Sequence, residues 1–210
     1  MTDRHLFAPL TLRATDLSSG RGGIALSSGL SFSASAGQCL LLRGPNGTGK
    51  TTLLLTLAGV IAPMAGSFAF EGAEEDEPVL HYCGHRNAIK PRLSVLENLQ
   101  FWAVVNGLTG LTPQHALDEV GLGHLAGLDA GYLSAGQSRR LALARLLVTF
   151  RPLWLLDEPT AALDAEGHDL VTRLLDRHLD MGGFAIAATH DPITLPDPSR
   201  METLVLGLRP

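Results

Sequence analysis

The octet GPNGTGKT, Gly44 to Thr51, constrains the fold more than any other stretch of the chain. It fits the pattern G-x-x-x-x-G-K-[ST] and stands where that pattern has meaning, after the apolar run CLLLR and at the head of the helix-like KTTLLLTLAGV. Phosphate oxygens need several donors aimed inward. Glycines let backbone N–H groups curl around them, and a helix N-terminus adds partial positive charge. The spacing therefore predicts a strand, a phosphate-binding loop (Gly44, Pro45, Asn46, Gly47, Thr48, Gly49, Lys50, Thr51 and Thr52) and a helix ended by Gly59. In such a loop Lys50 reaches the β- and γ-phosphates, and the Thr51 hydroxyl binds Mg²⁺.

The rest of the chain fits around this unit. Alternation in GLSFSASAGQCLLLRG predicts two strands, the second entering the loop. LWLLD and FAIAATH are continuous apolar runs between polar turns, the pattern of strands buried on both faces of a parallel sheet, and a helix of about 166–180 joins them. Between these parts, SVLENLQFWAVVNG opens with Ser94 and Glu97 at capping-box spacing and keeps helical periodicity to Gly107. A glycine-rich span leads to a second helix, GQSRRLALARLLVTF, with Arg139, Arg140 and Arg145 among its apolar positions. The expected architecture is one α/β domain, a core of 1–85 and 151–210 with a helical insertion at about 86–150. The acidic run EGAEEDE (71–77) reads as a solvated turn between two strands.

The formal net charge of -5 leaves no basic excess to neutralise a phosphate backbone, which argues against nucleic acid as a partner. Cys39 and Cys83 each lie in an apolar run and make neither a disulfide framework nor a zinc spacing, so a reduced, cytoplasmic protein is expected. MTDRHLFAPLTLRATDL lacks the apolar core of a signal peptide, and LLLTLAGVIA is too short to cross a bilayer. A membrane role must come through a partner.

Chemistry enters with LWLLDEP, about 110 residues after the phosphate loop. An aspartate at the end of a buried strand can hold the metal while the next carboxylate polarises an attacking water, which assigns Asp157 to Mg²⁺ and Glu158 to the general base. With LSAGQ (Leu133, Ser134, Ala135, Gly136, Gln137), LLDEPTAALD and ATHDP, the chain resembles the ABC-transporter ATPase family over roughly residues 10–195. The resemblance implies a P-loop NTPase fold of the ABC ATPase type, with a mostly parallel sheet, an antiparallel β edge and an inserted helical subdomain. It also implies ATP and Mg²⁺ as cofactors and an ATP-induced homodimer. In that dimer Ser134 and Gly136 contact the γ-phosphate held by the partner, Asp164 (the D-loop position) meets the other subunit, and His190 orients the attacking water. Ala135 stands where the family usually has glycine, and a β-carbon there restricts the backbone.

Two positions depart further. By count from LSVLENL, His85 falls where the family carries a glutamine whose amide oxygen touches Mg²⁺. A neutral imidazole nitrogen can ligate a metal or accept a hydrogen bond from water, whereas a protonated one can do neither. The alternative is that His85 caps the strand and water replaces the glutamine. The family's adenine-stacking aromatic falls by position at Arg21, where a guanidinium can stack on a purine or stand as a solvated turn residue.

GHRNAIKPRLSVLENLQFW, YLSAGQSRRLALARL and PLWLLDEP are similar to the haem-exporter ATP-binding subunits of cytochrome c maturation systems, although Thr160 replaces a phenylalanine frequent there. This resemblance implies haem-handling integral membrane partners and a peripheral location at the cytoplasmic face of a bacterial inner membrane. Other ABC transporters of lipid, metal or amino acid form the alternative. Soluble ATP switches predict two cassettes or a long coiled coil, neither of which this sequence has.

Overall fold

The computed structural model describes residues 6–74 and 77–207. Along the chain they form β1 (Thr11–Arg21), β2 (Ile24–Ser35), β3 (Cys39–Arg43), α1 (Lys50–Leu57), β4 (Ala65–Glu71), β5 (Leu80–Cys83), α2 (Val95–Asn106), α3 (Pro113–Glu119), α4 (Ala135–Val148), β6 (Leu153–Asp157), α5 (Ala165–Asp180), β7 (Phe184–Ala188) and β8 (Met201–Val205). The backbone groups into two compact units. The first takes the described residues of Met1–Gly84, Arg151–Glu158 and Thr172–Pro210, and the second takes His85–Phe150 and Pro159–Val171. Among the described residues no helix is long and apolar enough to cross a membrane.

In the first unit five strands pair in parallel in the order β5-β6-β7-β3-β8. Every residue of β6 and β7 is buried, as is β3 up to Arg43, which explains their unbroken apolar sequences. The antiparallel strands are not an edge of this sheet. They make a sheet of their own in the order β2-β1-β4, and Gly22 and Gly23, at φ 59° and 80°, supply the tight turn joining β1 to β2. Leu12 and Leu17 of β1, Leu53 and Leu57 of α1, and Leu155 and Phe184 of the parallel sheet share one buried core. Each such side chain contributes roughly 1.5–3 kcal/mol by leaving water. Of the acidic run, Glu71 belongs to β4 and pairs with Arg13 at 2.8 Å, while Glu75 and Asp76 lie outside the described residues. Cys39 and Cys83 are free and buried, and burial pushes the Cys39 thiol up to about 12.

The second unit is helical. Ser94 Oγ accepts the Glu97 N–H at 3.2 Å and Glu97 Oε2 accepts the Ser94 N–H at 2.8 Å, so α2 begins with the expected capping box and ends at Gly107. Buried Asn98 ties down the segment before it, accepting from Lys90 N at 2.8 Å and donating to the Lys90 and Ser94 carbonyls. The arginines of α4 hold the rest of that segment through Asn87. Arg139 donates to Asn87 Oδ1 at 3.1 Å, and Arg145, stacked over Trp102, donates to Asn87 O at 2.8 Å. Pro159–Val171, expected in the core, groups instead with this unit. Arg139 Nε bonds Pro159 O at 3.1 Å, and Arg140 lies 3.5 Å from Asp164.

A buried histidine of the first unit ties stability to pH. His178 stacks on Trp154 with ring centroids 4.0 Å apart, and its Nε2 faces the carbonyl oxygens of Pro152 and Phe184 at 3.1 and 3.2 Å. Two acceptors require Nε2 to carry the hydrogen, and buried Nδ1 has no acceptor for a second proton, so burial keeps the ring neutral. Burial pulls its pKa from 6.5 to about 3. Between those values the unfolded chain takes up a proton that the folded chain refuses, so stability falls as pH falls. Between pH 7 and 5 the wild type is expected to lose about 2 kcal/mol more than His178→Phe. Urea unfolding at each pH measures this, and identical slopes for the two proteins would remove His178 from the effect.

Candidate active site

Parallel pairing puts Leu42, Ala188 and Asp157 on one row across β3, β7 and β6. The segments that follow these strands therefore emerge together at the carboxyl edge of the sheet, where α/β folds place their ligands. The phosphate loop leaves β3 here. Gly44 has φ 142°, and a β-carbon on it would come within 2.4 Å of Leu206 O. Gly49, the N-cap of α1, has φ 94°, and its β-carbon would meet that of Leu26 at 2.8 Å. Both positions demand glycine for conformation and for space. Buried Lys50 turns its ammonium onto the loop, donating to Gly44 O at 2.7 Å and Pro45 O at 3.0 Å. Two of its three N–H groups are thereby directed, and the third is available to a phosphate oxygen.

The next residue of α1, Thr51, donates to Asp157 Oδ1 and Oδ2 at 3.1 and 3.0 Å. Asp157 is 3% exposed. A hydroxyl and a buried carboxylate, both oxygen donors and in contact, fit Mg²⁺, which favours one or two carboxylates plus phosphate and water over an all-protein cage. Among the described residues no cluster of three or more His, Cys, Asp and Glu could hold a metal ion.

Glu158 follows with a backbone conformation that L-residues rarely adopt, φ 49°. Bonds to its backbone and to its side chain hold it there. Its N–H donates to Ala188 O at 2.7 Å, and its Oε2 accepts the His190 N–H at 3.1 Å. His190 Nε2 lies 3.4 Å from Oε1. Asp157, Glu158, Thr51, Lys50 and His190 thus share one unit and one edge of the sheet. Arg43, which sequence reasoning missed, secures the histidine turn by donating to Thr189 O at 2.7 Å. A lone charge closing the run LLLR was its only signal. His190, expected to end the strand, lies two residues past β7 in a turn that the Thr189 hydroxyl shapes by accepting the Asp191 N–H at 3.1 Å.

The remaining expected residues fall elsewhere. In the second unit Ser134 is the N-cap of α4 and shares a capping box with Gln137, at 3.2 Å and 2.9 Å. Ala135 is the first helical residue, and its conformation is one that any L-residue adopts. A β-carbon on Gly136 would sit 2.9 Å from Ala162 O. These residues and Asp164 line one groove of about 420 Å³. The Gly167 N–H, and to a lesser degree Arg140, hold the Asp164 carboxyl below the usual range. His85 is exposed, at a bend two residues after β5. Arg21, exposed at the hairpin end of β1, is not among the described residues lining the groove beside the phosphate loop.

Comparison with protein families matches residues 27–161 to the family described as ABC transporter. The chain is 54% identical over 181 residues to the cytochrome c biogenesis ATP-binding export protein CcmA of Ruegeria pomeroyi, covering 86% of this chain and 85% of that protein. It is 53% identical over 176 residues to the protein of that name from Rhodopseudomonas palustris, covering 82% and 88%. Among solved structures, a putative ABC transporter ATP-binding protein from Pyrococcus furiosus superposes with a TM-score of 0.79 at 25% identity, covering 92% of this chain and 97% of that one. The cassette MJ0796, solved as a dimer in a post-hydrolysis state with ADP and Pi, gives 0.73 at 22% identity over 86% and 88%.

Arg43→Met is expected to lower nucleotide turnover on the order of tenfold while leaving nucleotide affinity within about twofold, because a charge-assisted bond worth about 1.5–3 kcal/mol is lost from the His190 turn only. Steady-state turnover beside equilibrium binding measures both. A matching loss of affinity would place Arg43 in the loop's own stability instead.

Proposed function

The chain belongs to the ABC transporter family, and from that footing we propose that it is the ATP-hydrolysing, energy-coupling subunit of a transporter complex that exports haem, releasing haem-loaded chaperone for cytochrome c assembly. The contact of Glu158 with His190, beside the Thr51–Asp157 pair, carries the catalytic half of this reading. Two cytochrome c biogenesis export proteins at 53% and 54% identity support the haem half.

In the mechanism, the loop N–H groups and Lys50 bind the β- and γ-phosphates. Thr51 and Asp157 would hold Mg²⁺, which when bound would supply positive charge to offset that of the phosphates. Glu158 takes the proton of the water that attacks the γ-phosphorus while the bond to the β–γ bridging oxygen breaks and ADP leaves, and His190 holds that carboxylate in place. Ser134 Oγ already accepts the Gln137 N–H, so its own O–H is free to donate to a γ-phosphate oxygen bound by the partner subunit. ATP thus closes a homodimer and hydrolysis opens it, which drives integral membrane subunits that handle haem. The subunit itself sits peripherally at the cytoplasmic face of a bacterial inner membrane.

Glu158→Gln is expected to keep ATP affinity and to lower turnover by about 10² to 10⁴, the usual contribution of a positioned base. Near-normal turnover would remove Glu158 from that role. Affinity purification of the chain from solubilised membranes is expected to bring down integral membrane proteins together with one that carries covalently attached haem. Recovery of transporter subunits without haem would move the reading to another ABC transporter.

A further inference from the structure

Glu158 is the last residue of the first unit before the chain enters the second, and Pro159 is the first residue on the other side. Two local rules work against the conformation of Glu158. A φ of 49° is rare for an L-residue, and the ring of a following proline pushes the residue before it toward extended backbone. The Ala188 carbonyl and the His190 N–H hold Glu158 through its own N–H and its carboxylate, which leaves the backbone after it to be held from elsewhere.

That hold comes from within the second unit. Pro159 is buried, so its carbonyl needs a donor, and Arg139 Nε supplies one at 3.1 Å. Because the proline ring locks φ, few soft torsions separate this carbonyl from Glu158, and a donor there bears on the orientation of Glu158. Arg139 lies in α4 at 2% exposure, and its Nη1 donates to Asn87 Oδ1 at 3.1 Å. Acceptors at two edges of a planar guanidinium fix its plane, where one alone would leave it free to turn. Asn87 is pinned in turn through its own carbonyl, which accepts from Arg145 Nη1 at 2.8 Å. Burying a guanidinium is costly, and an apolar side chain of similar volume fills such a place at least as well, so packing alone does not account for an arginine here. What an apolar side chain lacks is a directed donor for the Pro159 carbonyl.

Resting on the reading of Glu158 as the base, we infer that Arg139 is a positioning residue for hydrolysis. It holds the backbone on the downstream side of Glu158, and Asn87 sets the plane of its guanidinium. Acting through Glu158, it contributes to the transition state and not to the binding of ATP.

The test measures steady-state turnover of the full chain with Mg²⁺, beside equilibrium affinity for ATP and for ADP with orthovanadate, an analogue of the phosphoryl-transfer transition state. Arg139→Met is expected to lower kcat by about 10- to 100-fold, to weaken binding of ADP with vanadate by a similar factor and to leave ATP affinity within about twofold. Arg139→Lys keeps a charged donor on a flexible stem and is expected to recover turnover to within about threefold of the wild type. Asn87→Ala leaves the bond from Arg145 to the main chain in place and is expected to lower kcat by about three- to tenfold with ATP affinity unchanged. In a Glu158→Gln background, Arg139→Met is expected to cost less than about threefold more, because residues that act as a unit are not additive. Wild-type turnover in Arg139→Met or in Asn87→Ala would overturn the inference. So would a loss of ATP affinity matching the loss of vanadate affinity, or a full further loss on top of Glu158→Gln. Should Arg139→Met fail to fold, Asn87→Ala decides by the same criterion. Near-normal turnover in Glu158→Gln alone would instead overturn the reading of Glu158 as the base.

Discussion

The chemistry depends on parallel pairing of three strands. Because β3 and β6 flank β7 and all three run in one direction, Leu42, Ala188 and Asp157 share a row, and each chain leaves the sheet at the same edge. An antiparallel neighbour would have sent one of these ends to the far side. The row delivers the phosphate loop two residues after Leu42, the carboxylate proposed to hold the metal at Asp157 itself and His190 two residues after Ala188. Burial on both faces is what holds the row, since a sheet with an exposed face would tolerate slippage that buried apolar runs do not.

Short features were legible because each is written in contiguous residues. The loop, the helix ended at Gly59 and the Ser94 capping box all follow from residues within a few positions of one another. The capping box of Ser134 and Gln137 has the same three-residue spacing and was equally readable. Long-range partners were not. Arg43 reaches Thr189 across 146 positions, and Arg139 and Arg145 reach Asn87 across 52 and 58. Periodicity tells that an arginine lies among apolar positions and is silent on which carbonyl it meets. The separate antiparallel sheet was hidden for the same reason, because β1 pairs with β4 only through contacts distant in sequence.

Ala135 shows a sequence argument that needed the backbone to complete it. A β-carbon in place of glycine restricts conformation only where the conformation is unusual. As the first residue of α4, Ala135 needs nothing unusual, and among the described residues the left-handed non-glycine ones lie elsewhere, at Asp16, Ala88, Glu158 and Ala162. Gly136 is different. There the obstacle is the Ala162 carbonyl beside it, so the requirement for a small residue is one of space.

Of those four left-handed residues, Glu158 is the one with a catalytic assignment. Holding a non-glycine residue there costs about 1–3 kcal/mol and persists only where the surroundings overdetermine it. Here the surroundings are the Ala188 carbonyl, which takes the Glu158 N–H, and the His190 N–H, which binds its carboxylate. Both partners belong to the end of β7 or the turn beyond it, and Arg43 fastens that turn. The strain therefore has a use. It aims the side chain of the residue after Asp157 away from the course an extended strand would give it and toward His190. The contacts to His190 set the orientation of the carboxylate proposed to act as the base. Orientation fixed before substrate arrives need not be supplied by substrate binding, which leaves the binding contacts to the triphosphate.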